Sequence, residues 1–162
     1  MYILELVITK MSRGLDFLAG IILAATATLV VANILGRALL GQSILGTYEM
    51  VGFLTAAVVG LSLSRCALEN GHIAMGFLVE KLPPKAQKII GLITGVPVIA
   101  FLAVVAYNLY AYGNRIAATG EVSPTTQIIF YPFIYLVAFG FLVLALAVAL
   151  KLMRQLAGGE RP

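Results

Sequence analysis

The sequence predicts an all-α membrane protein of four transmembrane helices, with both termini on the cytoplasmic side. Three observations predict it. Only 11% of the 162 residues are charged against 61% hydrophobic, with a mean hydropathy of +1.02, whereas a soluble domain of this size carries about a quarter of its residues as Asp, Glu, Lys or Arg. The charges are confined to short stretches, with long apolar intervals between them. Lys and Arg are also distributed unevenly between the connecting segments, and that bias sets orientation in a bilayer.

The first span is expected at about 15–36, with Asp16 at its start, and the second at 48–68, with Glu49 at its start and Arg65 near its end. The third is expected at 89–112 and the fourth at 128–150, both uncharged. Each is long enough for a helix, rising 1.5 Å per residue, to cross about 30 Å of hydrocarbon. Helices are the choice because unpaired backbone groups cost too much in lipid, and the alternation of a membrane barrel is absent. The first run follows Lys10 and Arg13 but is too long for a signal-peptide core and reads as a retained anchor. The four spans form one domain over 1–162.

Orientation follows from the cations. Lys10, Arg13, Lys151, Arg154 and Arg161 flank the termini, and Arg65 near the exit of span two joins Lys81, Lys85 and Lys88 of the loop between spans two and three. The other two loops hold only Arg37 and Arg115. The termini and middle loop are therefore expected in the cytoplasm. Residues 2–13 read as a short amphipathic helix in the interface or as a frayed tail. A second apolar piece, Ile73 to Leu82, is expected along the cytoplasmic membrane surface, ended by Pro83-Pro84.

Small residues at four-residue spacing mark helix-packing faces in lipid. The first span carries Gly20, Ala24, Thr28, Ala32 and Gly36, and the second Gly52, Ala56, Gly60 and Ser64. These ridges either pack on each other or turn one face to another subunit. Pro97 is expected to kink the third span. Six of seven tyrosines fall near the outer interface, beyond what an aromatic belt at both interfaces accounts for. That excess hints at an extracytoplasmic docking surface.

The composition gives no sign of chemistry. A transporter acting alone needs ionisable groups at mid-bilayer, and the spans contain almost none; Asn33 is the most notable embedded amide, one turn from Arg37. His72 is the single histidine and Cys66 the single cysteine, so neither a bis-histidine haem site nor a convergent metal site is expected, nor an intrachain disulfide. The basic residues sit at span ends rather than in an aromatic-lined stripe, which argues for lipid headgroups and against nucleic acid. No catalytic residue and no cofactor is expected.

From Asn33 to Pro83 the sequence resembles the small membrane subunit, DctQ-type, of tripartite ATP-independent periplasmic (TRAP) transporters. The elements are Asn33 and Arg37 ending the first helix, Tyr48-Glu49 opening the second, Arg65 near its end, then His72-Ile73 and Leu82-Pro83. Ser123-Pro124 and Tyr131-Pro132 around the start of the last helix are also similar to the family. The chain departs in having no tryptophan, and in Ala74-Met75 after His72-Ile73. The resemblance implies a bacterial inner-membrane subunit that scaffolds a large transport subunit. That partner would bind the substrate and sodium and take up an organic anion delivered by a periplasmic solute-binding protein, without ATP. Arg37, Tyr48 and Glu49 are then candidate contacts to a partner or to the binding protein, against a local Arg37–Glu49 ion pair. The rival readings are a small membrane-bound enzyme or quinone-associated subunit, or an unrelated membrane assembly protein.

Overall fold

The computed structural model describes residues 2–68 and 83–157. They form four long helices: α1 Tyr2–Leu40, α2 Thr47–Leu68, α3 Pro84–Thr119 and α4 Tyr131–Ala157. All four are long and apolar enough to cross a membrane. The expected apolar piece at Ile73 to Leu82 lies outside the described residues.

Residues 2–13 are not a separate interfacial helix, nor a frayed tail, but the first turns of α1. No proline interrupts them, and Gly14 alone does not break the ladder, because each helical residue added after nucleation brings a hydrogen bond. Tertiary contacts hold the extension in place. Ile8 is buried with Ala147 and Leu150 of α4, and Ser12 and Ser64, both fully buried, share a 3.2 Å hydrogen bond.

The third helix is longer than expected at both ends. Pro84 occupies its first turn, where a missing N–H costs nothing, and Pro83 caps it in an extended conformation. It continues on both sides of Pro97 and stops at Gly120, whose left-handed backbone (φ 68°) lets its N–H bond the Ile116 carbonyl. Ile128–Phe130, expected within the fourth span, belong instead to the preceding loop, where Val122 and Ile129 form an isolated antiparallel bridge.

The helices form an open row rather than a closed bundle. α2 and α4 stand side by side in the middle, α1 flanks α2, and α3 flanks α4. α1 also meets α4 near the chain termini, and α2 and α4 are the most buried of the four. An open arrangement suits lipid, in which apolar surface needs no closure. At the α2–α4 crossing, a Cβ built on Gly140 would stand 2.1 Å from the Gly60 carbonyl oxygen. Only glycine lets two backbones approach so closely. Below it, Ala67, Leu102, Leu144 and Ala145 join α2, α3 and α4 in one apolar cluster.

Candidate functional site at the loop end

The 41–46 and 120–130 loops lie at the same end of the row, opposite the termini, and they are fastened together. Thr47 opens α2, its hydroxyl donating to the Ile44 carbonyl at 2.7 Å. Glu49, in the first turn, then points its carboxylate at the loop between α3 and α4. It accepts from the buried Ser123 hydroxyl, from the Thr125 backbone N–H at 3.1 Å and hydroxyl at 2.7 Å, and from the Thr126 N–H at 3.4 Å. The Thr126 hydroxyl lies 3.4 Å from Glu49 Oε2 and 3.1 Å from Ser123 Oγ, with one proton to share between them.

The receiving loop is shaped for this. The Ser123 N–H bonds the Ile128 carbonyl and the Gln127 N–H bonds the Ser123 carbonyl, both at 3.0 Å. Gln127 takes a left-handed conformation (φ 53°) to close the turn. The turn thereby presents successive N–H groups to one side, an arrangement that suits an anion. Gly46, also left-handed (φ 73°), passes so close that a Cβ there would stand 1.8 Å from Thr126 Cγ2. One turn into α2, Phe53 stacks on Phe130 and Phe133. A second polar link joins α3 to α4, where the Tyr135 hydroxyl donates to Asn114 Oδ1 at 2.7 Å, over Gly113.

Of the sequence-derived candidates, Glu49 is thus engaged inside the chain. Among the described residues it makes no ion pair with Arg37, which is exposed. Asn33 does not turn to Arg37 either; its Oδ1 accepts from the Ile44 N–H at 2.8 Å and ties the 41–46 loop back along α1. Tyr48 is 93% exposed, the most open large side chain at this end. Arg65 is half-buried near the end of α2, Pro83 caps α3, and His72 and Ile73 lie outside the described residues.

The two small-residue ridges do not pack on each other. Gly20, Ala24, Thr28 and Ala32 are exposed, and a Cβ on Gly20 would meet nothing within 4 Å. α1 packs instead through Ile8, Ser12, Ala19 and Thr26, on its opposite side, while Gly36 is half-buried under the Gln42 carbonyl. Gly52 and Ala56 are exposed as well. Gly60 and Ser64 are buried, but Gly60 faces α4. Four-residue spacing found real packing positions only in the lower half of α2. The spacing does not point to Gly140, Gly46 or the Thr125 and Thr126 donors, and Ser123 enters only through the Ser123-Pro124 resemblance; a lone glycine among large apolar residues, as in Phe139-Gly140-Phe141, is the signal that marks such a crossing.

Chemically, the loop-end cluster is one carboxylate saturated by hydroxyl and N–H donors. No three His, Cys, Asp or Glu converge among the described residues. The arrangement fastens two loops. Compared with known families, residues 26–158 match the family described as tripartite ATP-independent periplasmic transporters, DctQ component. No curated protein matches the chain.

Proposed function

The chain belongs to the DctQ family of tripartite ATP-independent periplasmic transporters, and from that premise we propose that it braces a large transport subunit in the bacterial inner membrane. It is a multi-pass membrane component of such a transporter. In the proposed assembly the termini face the cytoplasm and the Glu49–Ser123 loop end faces the periplasm. The large subunit carries the substrate and sodium sites, and a periplasmic binding protein delivers an organic anion.

The observation that carries this reading is the uncharged interior of the spans. No charge lies in 17–36, 50–64, 89–114 or 131–150, and a chain that itself coupled ion flow to solute movement needs ionisable groups there. Its polar groups are used to hold helices and loops together. The exposed ridge Gly20, Ala24, Thr28 and Ala32 supports the same role, since small side chains gain little against lipid but let a partner helix approach closely.

The test is co-purification from membranes expressing both membrane subunits. The large subunit is expected to elute with this chain, and uptake of the solute is expected to require both. Gly20→Leu with Ala24→Leu should weaken co-elution. Solute uptake by the large subunit alone, at the rate of the pair, would overturn the bracing role.

A further inference from the structure

We infer that the row of helices lies obliquely in the bilayer, tilted within its own plane so that α1 is shifted toward the headgroup layer at the termini and α3 toward the layer at the loop end. The inference rests only on the spans lying in lipid, and not on assembly with a transport subunit.

Contacts between helices fix which residues share a height along the row. Ser12 stands against Ser64, Gly60 against Gly140, Gly95 against Leu152, and Gly113 against Tyr135. Phe53 against Phe133 gives α2 and α4 the same offset as the glycine pair. Counting one turn from Ser12, Asp16 is level with Gly60, and so with Gly140, the middle of the uncharged stretch 131–150 of α4. Counting five residues back from Gly113, or twelve on from Gly95, brings Asn108 or Tyr107 level with that point too.

The uncharged stretches do not share this height. On α1, 17–36 is centred near Ala27, about 15 Å nearer the loop end than Asp16. On α2, 50–64 is centred at Ala57, about 4 Å nearer the loop end than Gly60. On α3, 89–114 is centred near Phe101, about 9 Å nearer the termini than Tyr107. The displacement therefore runs one way across the row, from α1 through α2 and α4 to α3.

An upright row would be poorly solvated. Arg13 and Asp16, both exposed, would stand near mid-bilayer, where charges are costly. Exposed Val31, Ile34 and Leu35 on α1 would rise past the start of α2 toward water, and exposed Ile89 and Ile93 on α3 would pass below Lys151. An oblique bilayer places all of these correctly. Lys10, Arg13, Lys151 and Arg154 then reach one headgroup layer, their long stems snorkelling where needed. About 25 Å of displacement over three helix spacings of 8–10 Å gives a tilt on the order of 40°, against an average of about 20° for membrane helices. Away from the Gly20–Ala32 ridge the occupant of the exposed faces is lipid acyl chain, and no partner is required to cover Asp16.

Spin labels read the difference directly. The purified full chain, carrying Cys66→Ser and one of Phe17→Cys, Ala27→Cys, Phe101→Cys or Tyr107→Cys, is reconstituted alone into phosphatidylcholine–phosphatidylglycerol vesicles. All four positions are exposed, so the packing stays intact. Depth is read from the ratio of oxygen to nickel-chelate accessibility. The oblique row gives labels at 27 and 101 a ratio several-fold above those at 17 and 107. An upright row makes 17 and 107 the deepest pair, and that order, or equal ratios at all four sites, overturns the inference. Neither result bears on whether a large subunit co-purifies.

Discussion

Glu49 and Ser123, far apart in sequence, meet at the loop end, where the Glu49 carboxylate accepts the buried Ser123 hydroxyl and binds the turn that follows it. Because the carboxylate gathers donors from Ser123, Thr125 and Thr126, its removal should release the whole turn. Amide exchange is the direct measurement. Glu49→Ala should abolish slow exchange at Thr125 and Thr126. Glu49→Gln, which keeps one acceptor oxygen, should retain part of it. Unchanged exchange in Glu49→Ala would show that the turn is held by its own hydrogen bonds.

Ser12 and Ser64 form a pair suited to a double-mutant cycle. Each single alanine substitution leaves one buried hydroxyl without its cross-helix partner, whereas the double substitution removes both. Polar pairs between membrane helices average about 0.6 kcal/mol, with a maximum near 1.7. A coupling energy in that range is expected from detergent-unfolding titrations, with the double variant less destabilised than the sum of the singles.

Glycines at the α2–α4 crossing and on the open face of α1 should respond oppositely to added bulk. Gly140→Val forces the backbones apart at Gly60, and overpacking of this kind costs about 1–3 kcal/mol. Gly20→Ala meets no neighbour and should leave the stability of the chain within about 0.5 kcal/mol. The same unfolding titration separates them.

Gly46 combines two constraints that substitution can take apart. Gly46→Ala meets both a left-handed backbone, costing about 1–2 kcal/mol for a residue with a Cβ, and the Thr126 methyl. Adding Thr126→Ser removes that methyl and keeps the hydroxyl. The double variant should recover the steric part of the loss in thermal stability but not the backbone part.

The four spans were legible because the bilayer imposes one requirement, an uncharged run of sufficient length, on each helix separately. Helix neighbours were not legible in the same way. Gly20, Ala24, Thr28 and Ala32 obey the packing pattern as well as Gly60 and Ser64 do, yet only the latter are covered within the chain. Spacing shows that a face can pack, but not what it packs against. The Glu49 contact was hidden for a related reason. Its partners lie 74 to 77 residues away, in a turn whose shape depends on Gln127 and on the Val122–Ile129 bridge. From composition alone an acid beside an arginine suggests an ion pair, and the structure spends that acid on a loop. The inward course of residues 2–13 was missed because Ile8 finds its partners in the last helix.

The glycine crossing also imposes an order on biosynthesis. Gly60 is made long before Gly140, and the helices that carry them are parallel, separated by the whole of α3. While the ribosome is still producing α3, the α1–α2 hairpin must wait with the Gly60 face uncovered. The α3–α4 hairpin supplies the missing surface only once the fourth helix has left the insertion machinery. Two hairpins therefore insert first and dock second. A chain arrested before residue 131 should be cleared by membrane proteases faster than the finished protein, because its docking face has nothing to meet.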